Sequence, residues 1–377
     1  MKFFHLADLH LGKLVHDFPM LEEQADALRQ ILVYADAEQP DAVLIAGDVF
    51  DRSVPAADAL KLFDDFVVAL IRKNIPVYMI SGNHDSAQRN AHLSTLLAAS
   101  RVHIAPAYEG SLQVHHLQDD YGPVDLVMLP FLRPNMVRPH FPGEEIPTWT
   151  KAVQAALSGV NLAPNHRAIL LAHQFVTGGL TSDSEEFAIG GADIVDSALF
   201  DQFDYVALGH LHQAQRLTRD SLRYAGSPLK YSFSEARHKK SITCVELFEK
   251  GRMDIRLLGL TPLRDLKELR GTYEELMSKP FYDTLDREHY FKITLTDEQD
   301  QPDALSRLRL VYPRLMRLEY DNLRTRSASA LMDLEAREAS TPLDLFALLY
   351  KEQNGAELSP EQGDFLQNLM NELEADA

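Results

Sequence analysis

Five short stretches carry side chains that could do chemistry together. They are "ADLHLG" with Asp8 and His10, "GDVFDR" with Asp48 and Asp51, "GNHDS" with Asn83, His84 and Asp85, "LLAH" ending in His173, and "GHLH" with His210 and His212. Each follows a run of strand-forming residues. Alone, each is weak: a His-x-His pair is more often surface or satisfied core than ligand, and Asn-His-Asp is an ordinary helix-entry turn. Five in one positional class point instead to a shared site. Three oxygen donors (Asp8, Asp48, Asn83) and four imidazoles (His10, His173, His210, His212), with no thiolate, suit manganese, iron or zinc rather than a closed structural zinc site. A carboxylate can bridge two cations, and Asp48, central among the early strands, is the natural candidate. Two cations about 3.5 to 4 Å apart clamp a phosphate, lower the pKa of a bridging water and stabilise both oxygens of an in-line displacement. That is the chemistry of a phosphoester hydrolase.

The elements that must position these residues are legible as apolar patterning. "KFFHLA", "DAVLIAG" (41–47), "IPVYMIS" (75–81), "DLVMLP" (125–130), "RAILLAH" (167–173), "YVALG" (205–209) and "SITCVELF" (241–248) read as strands. Helical spacing runs through Ala25, Leu28, Ile31, Leu32 and Ala35, and again through Leu60, Phe63, Val67, Leu70 and Ile71 after Pro55. The strand-helix rhythm with several short connections predicts an α/β fold, either one mixed sheet or two sheets face to face between helices. In such sheets the edge where strands end and loops begin is where ligands bind.

After about residue 260 the character changes. "YFKITLTDE" and "LMRLEYD" flank a helical stretch at 303–311, which predicts a small α/β domain over 261–330 beside a catalytic domain over 1–260. Residues 331–377 read as two helices. Thr341 and Pro342 can cap the first, which stops at Gly355, and Ser359, Pro360 and Gln362 form a capping-box pattern for the second. The second carries Phe365, Leu366, Leu369, Met370 and Leu373 along one face, either to pack on its own domain or to dock a partner.

Composition sets further bounds. A chain of 377 residues, 45% hydrophobic, can fill a large core and more than one domain. Its net charge of -19 argues against a generally basic nucleic-acid-binding surface. Eleven acids against two bases fall in residues 331–377, so the rest is only mildly acidic and local basic surface is possible, with "RHKK" at 237–240 the one cluster. No stretch reaches the ~20 apolar residues of a membrane span, and Asp8 interrupts the N-terminus too early for a signal peptide, so the expected location is the cytoplasm. The single cysteine, Cys244, reads as a buried inert thiol. Of the remaining histidines, His5 reads as satisfied core, and His115, His116, His140, His166, His238 and His289 as surface or loop; His16, His92 and His103 show no pattern.

In this order, "DLHLG", "GDVFDR", "GNHD", "LLAH" and "GHLH" resemble the calcineurin-like metallophosphoesterases over roughly residues 1–250. The resemblance implies one metal held by Asp8, His10, Asp48 and His212 and a second by Asp48, Asn83, His173 and His210. It leaves His84 to contact the scissile phosphate or protonate the leaving oxygen. Asp51 occupies the place that partners this histidine in related phosphatases, with Asp85 as competitor, unless Asp51 is a loop carboxylate capping the next turn.

The whole chain narrows the substrate. "HLADLHLGK", "GDVFDRSVP", "ISGNHDS", "YVALGHLHQ", "YAGSPLKYSFSE" and "TPLDLFALLYKEQNGAELSPEQ" together resemble the bacterial SbcD nuclease family end to end. That resemblance implies a manganese-dependent DNA double-strand exonuclease and single-strand or hairpin endonuclease, active in DNA end processing, recombination and repair. It also implies a complex with the SbcC ATPase, with a homodimer inside a heterotetramer, a DNA-shaping capping domain and terminal helices that dock the ATPase. The alternative is a phosphomonoesterase or protein phosphatase, because "GDVFDRS" is similar to the phosphatase loop "GDxxDRG"; here Ser53 replaces the final glycine. A non-enzymatic scaffold is a third option, against which stands the fact that every ligand position is filled.

Overall fold

The computed structural model describes residues 1–92, 94–185, 193–299, 301–323, 343, 346–347, 350–351 and 357–376. The chain divides into two compact units, Met1–Lys267 and Glu268–Ala377.

The first unit is built on two six-stranded mixed sheets. In one, the strands run in the order Met253–Gly259, Ser241–Leu247, Lys2–Leu6, Ala42–Ala46, Val77–Ile80 and Val102–Ile104, the last four parallel. In the other the order is Gln215–Arg216, Leu222–Tyr224, Tyr205–Gly209, Arg167–His173, Gly122–Leu129 and Gln113–Asp119, with parallel pairing through its four central strands. The fold is therefore the two-sheet α/β arrangement, not a single mixed sheet.

Period-two alternation explains why both faces of each central strand are apolar. Ala42, Leu44 and Ala46 join Leu126, Met128, Ile169, Leu171, Tyr205 and Ala207 in a core between the sheets. Val43 and Ile45 turn the other way, onto the Leu21–Glu38 and Ala57–Arg72 helices through Leu28, Ile31, Phe66 and Leu70. On the far face of the second sheet, Val127, Leu170 and Val206 meet Ala152, Val153 and Ala156 of the Trp149–Ser158 helix. His5 lies fully inside, its Nδ1 2.9 Å from the Tyr205 hydroxyl and its Nε2 3.1 Å from the Leu208 carbonyl, so it is a satisfied core histidine. Cys244 is also buried.

Edge strands escape the sequence reading. Gln113–Asp119 and Met253–Gly259 have no apolar run, because one face of each is exposed. His115 and His116 therefore stand on a strand, His116 at the surface as expected, and His103 on another, where its ring stacks on Tyr78 with centroids 4.6 Å apart.

A three-stranded sheet ordered Leu266–Gly271, Tyr290–Leu295, Leu315–Tyr320 belongs to the second unit except for Leu266 and Lys267, the first two residues of its first strand. The last two strands are parallel and are joined through the helix Ala304–Val311. Phe291, Ile293 and Leu295 pack with Leu308, Tyr312 and Leu315 as its core. The helix Pro360–Asp376 starts with a reciprocal box: Gln362 Oε1 accepts from the Ser359 N–H at 2.9 Å, and Ser359 Oγ accepts from the Gln362 N–H at 3.2 Å. Phe365 and Leu369 of that helix are exposed. The cap at Thr341 and Pro342 and the stop at Gly355 lie outside the described residues. Among the described residues no helix is long and apolar enough to cross a membrane.

Candidate metal centre

The parallel strands end level with one another. Leu6 lies opposite Ile45, Ala46 opposite Ile80, and Gly209 opposite His173, so the loops that follow leave both sheets at one edge. There the two sheets nearly touch. A Cβ on Gly209 would sit 1.9 Å from the Ala46 carbonyl oxygen, and one on Gly82 would sit 2.1 Å from Asp48 Oδ1, so only glycine fits at either place.

The backbone is under tension at this edge. Asp8, His10, Asp48 and His210 all adopt positive φ, at 53°, 44°, 49° and 108°. Such conformations cost non-glycine residues about 1 to 3 kcal/mol each and persist only where their surroundings impose them. Here the surroundings are explicit. Asp8 N–H donates to the Gly47 carbonyl at 3.1 Å and His10 N–H to the Asp48 carbonyl at 2.9 Å. The Asp85 carboxylate accepts from the N–H groups of Val49, Phe50 and Gly82 at 3.0 to 3.2 Å, tying the second loop to the third.

All seven residues singled out as ligands converge. Asp48 Oδ1 accepts from the His84 N–H at 3.0 Å. Its Oδ2 is left 3.3 Å from His173 Nε2 and 3.7 Å from His10 Nε2. On one side, His10 Nε2 faces His212 Nε2 at 3.1 Å, and these rings share a group with Asp8. On the other, Asn83 Oδ1 lies 3.0 Å from His173 Nε2 and 3.0 Å from His210 Nδ1. Asp8, His10, Asp48, His173, His210 and His212 are all buried.

This donor set fits a cation. His173 Nδ1 is 2.7 Å from the Ala46 carbonyl, which can only accept, so Nδ1 carries a proton and Nε2 is the ring atom aimed at Asn83 Oδ1 and Asp48 Oδ2. Oxygen acceptors gathered round that nitrogen in a buried site call for positive charge, a proton on Nε2 or a cation in its place. The electrostatics agree. Burial alone would lower His173, but the charge and hydrogen bond of Asp48 outweigh it and hold the imidazole up at about 9, so the point attracts positive charge. Burial lowers His10 to about 4 and His210 to about 3, favouring the neutral rings that ligate. Burial raises Asp8 well above the carboxylate range, with the Asp48 charge adding to it and His173 opposing. Divalent-metal binding is the property this chemistry expresses.

His84 stands at the partly open rim, its ring edge-on to His10 with centroids 4.8 Å apart. The expectation that an aspartate side chain orients it is corrected. His84 Nδ1 lies 3.1 Å from the main-chain carbonyl of Asp51. The Asp51 carboxylate turns instead to Lys13 Nζ at 2.6 Å and to His10 Nδ1 at 3.5 Å, and these contacts lower its pKa against the pull of burial. Asp85 is occupied as the loop staple, raised to about 6 by burial and by the Asp48 charge.

Sequence patterning missed the shell behind the ligands. Tyr231 donates its hydroxyl to the Leu9 carbonyl at 2.5 Å, and Gln24 donates to the His10 carbonyl at 2.7 Å, holding the first loop from beneath. His212 Nδ1 lies 2.7 Å from Ser184 Oγ, and its N–H donates to Glu185 Oε1 at 2.7 Å. Phe131 lies against the His173 and His210 rings, at 6.1 and 6.5 Å between centroids. Aromatic, amide and hydroxyl side chains scattered through a helix and several loops carry no spacing signal that could have marked them.

Comparison with known proteins is consistent over the whole length. The family model for the calcineurin-like phosphoesterases matches residues 1–214. A second, described as the type 5 capsule protein repressor C-terminal domain, matches residues 262–354. The chain is 30% identical over 376 residues to the SbcD subunit of the nuclease SbcCD from Staphylococcus epidermidis, covering 98% of each. It is 31% identical over 379 residues to the corresponding protein of Staphylococcus saprophyticus, covering 99% of this chain and 98% of that one. Among solved structures, a dimetal phosphatase from Danio rerio overlays with a TM-score of 0.42 at 13% identity, over 70% of this chain and 97% of that one.

Proposed function

Because this chain belongs to the SbcD nuclease family, within the calcineurin-like phosphoesterases, we propose that it hydrolyses DNA phosphodiesters at a pair of Mn²⁺ ions, as the nuclease subunit of a complex with an SbcC-type ATPase. The observation that carries the two-metal part is the position of Asp48 Oδ2, between the His10 side and the His173 side of the site. Asp8, His10, Asp48 and His212 would hold one ion and Asp48, Asn83, His173 and His210 the other.

Cations bound there supply charge for the phosphate oxygens and lower the pKa of water. The residues supply the rest. The αL turns at Asp8, His10 and Asp48 aim their side chains inward, and the Asp85 staple holds Asp48 and Asn83 at a set separation. His84, with Nδ1 donating to the Asp51 carbonyl, leaves Nε2 toward the substrate, and its imidazolium form would pass the Nε2 proton to the departing oxygen and end as the neutral Nδ1–H ring. Asp51 therefore contributes through its main chain. Burial of the donors keeps bulk water from competing for the site.

Residues 1–260 would form the nuclease domain, 261–330 a capping domain that shapes the DNA path, and 331–377 helices that dock the ATPase. Exposed Phe365 and Leu369 support docking there. The acidic net charge fits an enzyme that borrows DNA affinity from its partner and its metals. A homodimer within a heterotetramer, working in the cytoplasm, completes the reading. The phosphomonoesterase alternative gains nothing, since the full-length relatives are nuclease subunits.

The test is a cleavage assay on labelled hairpin and linear duplex DNA with Mn²⁺, Mg²⁺ or Zn²⁺, with and without the ATPase. Mn²⁺-dependent nicking of hairpins and shortening of duplexes is expected. A metal-loaded protein that clears a phosphoprotein and leaves all DNA intact would overturn the reading.

A further inference from the structure

Behind His212 lies a buried polar chain that the metal donors themselves do not require. Glu235 is wholly buried, on the short helical turn Phe233–Glu235, and Lys240 is nearly so. Glu235 Oε2 accepts from Lys240 Nζ at 2.5 Å. Lys240 spends its other two N–H bonds on the His212 carbonyl and on Ser227 Oγ, both at 2.8 Å, so its three donors are used. Glu235 Oε1 is 2.5 Å from Ser184 Oγ, which in turn is 2.7 Å from His212 Nδ1, and is itself 3.4 Å from that nitrogen.

Proton counting along this chain has one solution. The Glu235 carboxylate, ion-paired to Lys240, can only accept. The single hydroxyl hydrogen of Ser184 must therefore go to Glu235. Ser184 Oγ then has only lone pairs for His212, so the imidazole hydrogen sits on Nδ1 and the Nε2 lone pair faces His10 Nε2, 3.1 Å away. A buried ion pair on its own is a poor source of stability, because desolvation of both charges offsets their attraction. Held against a ligand histidine it has a different use. It sets tautomer and ring orientation and, through the partly negative acceptor, raises donor strength, while Lys240 keeps the added charge near zero.

From this geometry we infer that Ser184, Glu235 and Lys240 form a positioning relay that selects the Nδ1–H tautomer of His212 and tunes the affinity of one metal position and not the other. The inference rests on the reading of the site as a two-metal centre. Glu235 and Ser184 are positioning residues; neither touches the reacting atoms. Among the described residues nothing comparable stands behind His173, whose Nδ1 is served by the main-chain carbonyl of Ala46.

The experiment uses the full chain and Mn²⁺ alone. Mn²⁺ is titrated against a fluorescent chelator into wild type, Glu235→Gln and Ser184→Ala, and ¹⁵N spectra of ring-labelled histidine are recorded on the metal-free proteins. The relay predicts that one of two equivalents weakens by roughly ten- to a hundredfold in both variants while the other stays within about twofold. It also predicts that the His212 ring loses its pure Nδ1–H signature. Two equivalents bound as in wild type, or both weakened alike, overturn it. If Glu235→Gln unfolds because Lys240 is left unpaired, the double change Glu235→Gln with Lys240→Met, which removes both charges, takes its place beside Ser184→Ala. If wild type takes up no Mn²⁺, the metal reading fails, and the tautomer spectra still decide whether the relay exists.

Discussion

His10 and His212, 202 positions apart, turn their Nε2 atoms toward each other at 3.1 Å. With the His212 proton on Nδ1, toward Ser184, its Nε2 has only a lone pair to turn to His10, whose Nδ1 lies 3.5 Å from the Asp51 carboxylate. A cation shared by the two rings fits that contact. Asp48 should matter to two ions and His212 to one. Asp48→Ala is therefore expected to reduce bound Mn²⁺ from about two per chain to less than one, and His212→Ala to about one, with hairpin nicking lost in both. Metal content by mass spectrometry after gel filtration in low free Mn²⁺ checks this; equal losses in the two variants would contradict the bridging role.

Removing His84 should separate binding from chemistry. His84→Ala is expected to keep both Mn²⁺ equivalents and to lower single-turnover cleavage by on the order of 10² to 10⁴. Full cleavage in that variant would remove the histidine from the mechanism.

Asp51 offers a sharper contrast, because the carbonyl and not the carboxylate meets His84. Asp51→Asn should cost less than about tenfold in rate, through the loosened Lys13 and His10 contacts, in contrast to the loss from deleting a general acid. A loss as large as that of His84→Ala would restore the carboxylate to the orienting role.

His5 predicts a pH dependence of stability. Burial, helped by the charge of Arg223, lowers its pKa from 6.5 to about 3, so the unfolded chain takes the proton first as pH falls. Stability is fully present above about pH 6.5 and is lost as pH drops from there toward about 3. Between about pH 7.5 and 5 this one group should remove about 2 kcal/mol. Urea unfolding of metal-free wild type and His5→Gln at the two pH values measures it: the variant should show the smaller difference by about that amount, and parallel behaviour would rule His5 out.

Much of the site was legible before the fold was known, and physical reasons divide what was from what was not. Asp8, Asp48, Asn83, His173 and His210 follow buried strands whose apolar runs are unmistakable, so their common edge follows from α/β geometry. Edge strands such as Gln113–Asp119 lack that run, and their histidines look like surface or loop residues. The atom that meets His84 was not legible either: a main-chain carbonyl has no letter in the sequence, so Asp51 drew attention for the wrong group. Glu235 and Lys240 sit five residues apart in a loop whose pairing only the tertiary structure creates.

The glycine at 209 has a wider consequence. Asp8, Asp48 and Asn83 come from one sheet and His173, His210 and His212 from the other, and the two meet where Gly209 grazes Ala46. A chain whose halves have closed out of step presents neither cluster intact. The donor set is therefore complete only when the two sheets are packed on one another.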